Sequence, residues 1–291
     1  MHTWLPAILA IGAALLIASG TVIRQRESAA SGAINARWWI GAGIAVLGFA
    51  AQATALGLGP ILLVQPLIVL AVLFSLPLEA WADDRHPHPN EWLWGLILVA
   101  SVGTFLLVAH PEQSSRRPDT TTLAIATAAV VGGVLVLVAL AEKSKSSHYR
   151  ALFYGLAAGV LFGVSALLVK SVIMQAMTTW HEVFFHPQVY VLLLVAPGAV
   201  VAQQRGFGAG DLQTSFPAMN VMEPATSMAL GMLVLGEQIR VSVTTALFLG
   251  VVLALMIRSV VELAKLSAVR ADVMTSKGAK ARHDETDASR R

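Results

Sequence analysis

Apolar stretches long enough to cross a lipid bilayer follow one another along nearly the whole chain, and this recurrence limits the fold more than any motif. Each stretch lies near or above the roughly 18 to 20 residues that a helix needs to traverse the hydrocarbon core. They cover 4–23, 38–56, 60–81, 91–110, 121–141, 149–174, 188–204, 211–236 and 242–263. With 56% of residues hydrophobic and only 13% charged, the chain lies outside the range of soluble domains. The sequence therefore predicts an all-α integral membrane protein of about nine transmembrane helices, occupying residues 1–265. Beyond it, residues 266–291 form a basic tail whose charged and small polar side chains cannot build a core, and which is expected to be disordered.

The charges between the spans suggest an orientation. Arg24, Arg26, Arg37, Arg85, Lys143, Lys145, Arg150 and Arg205 fall on one side, against Arg116, Arg117 and Arg240 on the other. The positive-inside rule makes the first side cytoplasmic, with the amino terminus outside and the carboxy tail inside the plasma membrane. Nothing positive precedes the first span and arginines follow it, which reads as a retained anchor, not a cleaved leader. The basic pI of about 9.4 points to anionic lipid headgroups. Nucleic acid is not expected, because the basic residues are scattered and carry no interleaved aromatic platform.

One segment occurs twice. QATALGLGPILLVQP at 52–66 is echoed by QQRGFGAGDLQTSFP at 203–217, pairing Gln52 with Gln203, Gly57 with Gly208, Gly59 with Gly210 and Pro66 with Pro217 at a constant offset. Spans 2 to 4 thereby map onto spans 7 to 9. A displacement of five helices inserts the second copy upside down, so two inverted-topology repeats are expected, at about 4–110 and 149–263. Span 5, about 121–141, is the connector. A second register aligns Gln65-Pro66 and Glu79 with Glu223-Pro224 and Glu237. The two registers differ by about two helical turns, which leaves the inward face of a helix almost unchanged.

These residues resemble the drug/metabolite transporter superfamily, and within it the EamA-like and NIPA-like membrane transporters. The resemblance runs over about 4–263 and is carried by WWIGAGIAVLGFAAQATALGLGPILLVQPL at 38–67, GTFLLVAHPEQ at 103–113, YGLAAGVLFGVSALLVK at 154–170 and MEPATSMALGMLVLGE at 222–237. The paired tryptophans, Pro60 and Pro66, and the His-Pro-Glu after span 4 are NIPA-like, whereas Glu223-Pro224 and the terminal Gly-Glu are closer to the general exporter pattern. The resemblance implies secondary active transport of a small metabolite, a cationic drug or a cation, by alternating access about a midplane cavity. Its NIPA-like features imply a divalent cation such as Mg2+ as the alternative substrate.

Glu223 is the first candidate site residue, because it falls near the middle of a span about seven helical turns long, where an ionised carboxylate costs at least ~2.5 kcal/mol. Pro224 removes a backbone donor beside it and Pro217 lies two turns earlier, so a bend that frees carbonyls toward a cavity is expected. Asn220 shares its helical face. One reading is a carboxylate that exchanges a proton or binds a cation; the other is a protonated acid hydrogen-bonded to a neighbouring helix. Gln65, beside the kink at Pro66, is its neutral counterpart. Gln52 and Gln203 either line the cavity or meet interfacial water at helix ends. For Lys170 the favoured reading is a stem that snorkels to headgroups, ahead of an ion pair with Glu223 or a substrate anion. Glu79 and Glu237 sit at helix ends, where capping or loop contacts are the expected roles.

Gly155, Gly159 and Gly163 make a GxxxGxxxG stripe, a helix-packing signal within one chain or in a homodimer. An enzyme is not expected. His181, Glu182 and His186 have zinc-protease residue types at the wrong spacing, and His86 and His88 lie in a proline-rich loop. There is no Walker A sequence, no cysteine and no implied cofactor; a metal site stays unassigned. The competing function of another class is a non-transporting membrane scaffold.

Overall fold

The computed structural model describes residues 4–31, 36–82, 88–109, 120–209, 212–239 and 241–288. It is all-helical: α1 (Trp4–Ser31), α2 (Ala36–Leu58), α3 (Ile61–Ile68), α4 (Leu70–Ala82), α5 (Pro89–Ala109), α6 (Thr120–Lys143), α7 (Ser147–Thr179), a 3-10 turn (Trp180–Phe185), α8 (Pro187–Gly208), α9 (Leu212–Val234) and α10 (Val243–Ala288). Among the described residues, eight helical stretches are long and apolar enough to cross a membrane, with α3 and α4 contributing one of them jointly. The protein is thus a multi-pass membrane protein. Helices close their own backbone bonds, which a span needs because lipid offers no partner for a free backbone amide or carbonyl.

α9 has membrane length, 23 residues, but stands outside that set of eight. Two prolines, Asn220, Glu223 and several hydroxyl residues dilute its apolar character. In a bilayer such a helix needs cover, and α7, α10 and α3 all pack against it.

The proline-linked interruption falls in the third span. Pro66 has no N–H, which deprives the Leu62 carbonyl of its helical partner, and the chain breaks between α3 and α4 at Val69. The Val69 amide still reaches the Gln65 carbonyl at 3.3 Å. α9, where the sequence predicts a bend, runs unbroken through Pro217 and Pro224. Ser227 donates its hydroxyl back to the carbonyls of Glu223 and Pro224 on its own helix at 3.0 and 3.1 Å.

The tail also differs from expectation. Instead of losing structure after residue 265, the backbone of α10 continues as helix to Ala288. Ala, Lys, Arg and Glu are strong helix formers, and an α-helix closes its own hydrogen bonds without needing a core. Ala264 is the last buried residue among those described.

Small residues bring the helices together. In the first half, α1 lies against α2 and α4, and a β-carbon placed on Gly20 would come within 2.5 Å of the Gly41 carbonyl oxygen. In the second half, α7 lies against α8 and α9. The halves meet where α3 touches α9, α5 touches α10 and α2 touches α7. Their largest apolar cluster joins Ala10, Ala55, Ile61 and Leu98 to Ala166 and Val260. Large apolar side chains such as Leu107, Leu135, Leu194 and Leu247 point outward, as lipid solvation demands.

Candidate functional site

Glu237 follows α9 on the connection to α10, and the turn that places it depends on Gly236. The φ of Gly236 is 67°, a left-handed conformation that costs a side-chain-bearing residue roughly 1–2 kcal/mol. With that turn, the Glu237 amide donates back to the Gly231 carbonyl at 3.1 Å, closing the end of α9. Gly236→Ala should therefore lower thermal stability in detergent by about 1 kcal/mol, with Gly236→Asn milder, because Asn tolerates this conformation.

The same turn carries the Glu237 carboxylate across to the other half of the molecule. It accepts hydrogen bonds from the backbone amides of Ile61 at 2.8 Å and Leu62 at 3.0 Å, the first residues of α3. Those amides have no intrahelical partner, so a carboxylate there satisfies them and complements the positive end of the helix. Glu237 does cap a helix, as its position predicts, but a helix of the opposite half. Lys170 of α7 completes the cluster: its ammonium donates to Glu237 Oε1 at 2.6 Å and to the Gly59 carbonyl at 2.8 Å. Lys170 is 2% exposed and Glu237 3%, so the pair is desolvated. The snorkelling expectation fails, since the Lys170 stem turns inward to an acid. Sequence reasoning missed this partner, although an unmatched cation and an unmatched acid at the ends of apolar spans were available as a signal.

Glu223 lies farther along α9, about two turns from Gly231. Its backbone is clasped by α7: a β-carbon on Gly159 would sit 3.1 Å from the Glu223 nitrogen, and one on Gly163 would sit 2.7 Å from its carbonyl oxygen. Gly155 meets the Ser215 backbone in the same way, so all three stripe glycines face α9. The Glu223 side chain is partly buried and has no hydrogen bond or ion pair with another described residue. Asn220 spends its amide on its own helix, donating to the Phe216 carbonyl at 2.8 Å.

α3 starts where α9 ends. Ile61 faces Gly231, and Leu62 shares an apolar cluster with Met228. Gln65 is one turn deeper than Ile61 and about one turn short of the depth of Glu223. It is 1% exposed, and its Nε2 has no partner. An unpaired buried amide costs roughly 1–3 kcal/mol, which makes Gln65 a donor awaiting an acceptor.

The remaining candidates lie apart from this group. Gln52 is buried in α2. Gln203 of α8 donates to the Met219 sulfur at 3.1 Å. Near it, Arg205 pairs with Glu142 at 3.1 Å and lies over the Tyr154 ring, while the Tyr154 hydroxyl bonds Glu142; the ion pair is about half exposed. His181 belongs to the 3-10 turn and His186 occupies the N-cap position of α8 without a side-chain cap bond, so the two do not share a helix. The His88 amide donates to Glu91 at the start of α5. Among the described residues, no group of three His, Cys, Asp or Glu is placed to hold a metal. His86, Arg85, His110, Arg116, Arg117, Gly210 and Arg240, and the side chains of Arg24, Arg26, Glu79 and Glu182, lie outside the described residues. The orientation drawn from charge accordingly rests on sequence.

Comparison with known proteins adds two kinds of relative. No family model matches the chain, and no solved structure matches it. Magnesium transporter NIPA3 of Homo sapiens and that of Pongo abelii are each 24% identical over 221 residues, covering 67% of this chain. The chain spans about half of those proteins, 53% of each, and the relation to them is distant. An uncharacterized protein of Corynebacterium glutamicum is 32% identical over 292 residues, covering 92% of this chain and 97% of that protein. This multi-pass membrane protein, distantly related to the NIPA magnesium transporters, therefore belongs to the same family as the uncharacterized Corynebacterium glutamicum protein.

Proposed function

We propose that the protein is a secondary transporter that carries a small cation or cationic solute by alternating access, with Glu223 as the carboxylate that binds the cation or a coupling proton. The observation that carries this reading is the state of Glu223. An acid within a membrane-length helix, with no partner among the described residues, defaults to function because its burial is otherwise unrewarded. The orphaned amide of Gln65 lies about one turn short of that depth on α3, which packs against α9. The packing supports two inverted repeats, since α1 holds α2 and α4 much as α7 holds α8 and α9, and α3–α9 and α5–α10 pair across the halves. The connector is α6, which lies against α7 and α9.

The printed function of the NIPA3 relatives favours a divalent cation. Mg2+ is commonly bound through one or two carboxylates while it keeps several waters, so one acid and neighbouring polar groups suit a hydrated ion better than a bare one. A cationic metabolite or drug meets the same carboxylate without that constraint.

Reconstitution into liposomes tests the assignment, with a magnesium-sensitive or pH-sensitive dye inside and candidate cations outside. Glu223→Gln should cut flux by at least ~10-fold, because a contact to a charged group worth about 1.5–3 kcal/mol is lost. Unchanged flux in a folded variant would remove Glu223 from the mechanism. Absence of flux for every solute tried would favour the scaffold reading.

A further inference from the structure

We propose that Lys170 and Glu237 form the gate of this transporter, a clasp that shuts the Gly59 end of the molecule and must open in each cycle; the inference rests on the alternating-access reading above. The clasp joins the two halves directly. Lys170 and Glu237 belong to the second half, whereas the groups they hold, the Gly59 carbonyl and the amides of Ile61 and Leu62, belong to the first. A movement that separates the halves at this end has to break the three contacts to Gly59, Ile61 and Leu62, while the Lys170–Glu237 pair can travel with the second half.

Three features suit the cluster to making and breaking. Glu237 is carried on a connection, next to the left-handed Gly236, so its turn can swing at the cost of its amide bond to the Gly231 carbonyl, which keeps the Leu235 amide at 3.2 Å. A buried ion pair is poor evidence of stability, because apolar residues of similar volume commonly do as well. A polar bridge between two halves of a transporter therefore calls for a purpose beyond stability. Finally, release exposes the first amides of α3, the ammonium and the carboxylate together, and all of them need water. Opening the clasp and hydrating this end are one event.

Immediately behind the clasp the interface is closed by apolar packing. Ala166 is one turn before Lys170 on α7 and is buried in the cluster that includes Ala10, Ala55 and Ile61 of the first half. Val260, buried in the same cluster, lies about 25 Å along α10 from Val243, the first residue of that helix after the connection that carries Glu237. Because the chain contains no cysteine, Ala166→Cys and Val260→Cys report separately on the two regions.

The test measures maleimide labelling of each reporter in nanodiscs, where both membrane faces are accessible. The background is the double variant Lys170→Met/Glu237→Gln, which leaves no unpaired buried charge and so retains the fold. Labelling of Ala166→Cys should rise several-fold while that of Val260→Cys does not rise. Glu237→Asp, which keeps the charge but shortens its reach, should give an intermediate rise at Ala166. A parallel rise at both reporters would mean general loosening and would overturn the gate, as would no change at either. The labelling needs no substrate. A selective response at Ala166 together with no flux of any solute would therefore sink the transporter reading and leave the clasp in place.

Discussion

Lys170→Met should destabilise the protein by about 3 to 5 kcal/mol, the cost typical of removing one member of a buried ion pair. The Glu237 carboxylate would keep its bonds to Ile61 and Leu62 but lose its counter-charge at 2.6 Å, in a place where water does not reach. Glu237→Ala should cost a similar amount for a different reason: it strands the ammonium and also uncaps α3. The double variant Lys170→Met/Glu237→Gln should recover much of the loss, because two neutral side chains replace two charges. The charge swap Lys170→Glu/Glu237→Lys should recover little. It restores an opposite pair but aims an ammonium at the positive end of α3. Thermal unfolding in detergent, followed through the fluorescence of the seven tryptophans, ranks these variants. Full recovery in the swap would show that the ion pair alone matters and that the helix end does not.

Gly163→Val should disrupt the α7–α9 interface, with a loss of about 1–3 kcal/mol or more. The first added carbon would meet the Glu223 carbonyl oxygen and the Thr226 β-carbon, both at 2.7 Å, and the Ser227 nitrogen at 3.0 Å. Two of these atoms are backbone and cannot rotate away. Gly155→Val should behave alike, since its nearest neighbour is the Ser215 carbonyl oxygen at 2.5 Å. Gly133→Val in α6 is the matched control, because a β-carbon there meets nothing within 4 Å. Comparable losses at Gly133 and Gly163 would refute close packing as the cause. Flux through Gly163→Val should also fall, since the clash falls on the carbonyl of the proposed cation-binding residue.

The helices and much of their packing could be read from the chain because both depend on local pattern. Length and apolar run fix each span, and a four-residue glycine spacing puts Gly155, Gly159 and Gly163 on one face of α7 whatever the tertiary fold. The Lys170–Glu237 contact has no such local signature. Its members are 67 residues apart, and Lys170 also reaches the Gly59 carbonyl 111 residues away. Reading each residue alone gave Lys170 to the headgroups, the cheapest refuge for an unpaired cation, and a paired one does not need it. A kink was expected at Pro66, Pro217 and Pro224 alike, but the helix is interrupted only after Pro66. Pro217 and Pro224 remove amides in the same way, yet α9 runs through both, and no local sequence feature separates the three cases. The extension of α10 was missed because lack of a core was equated with lack of structure. Helix formation in an Ala- and Lys-rich segment draws on propensity instead.

The bare stripe on α7 has a consequence for the speed of movement. Where side chains interlock, a helix can shift only after rotamers are refitted, and each ordered side chain lost or regained carries an entropic charge. At Gly155, Gly159 and Gly163 the surface that α9 meets is largely backbone, and glycine has no rotamer to refit. The interface then behaves as a bearing: it is stiff against compression, because backbone atoms are already in contact, and it has little friction along the stripe. In the transport cycle proposed above, the slow step is accordingly expected elsewhere, where charges must shed or regain water.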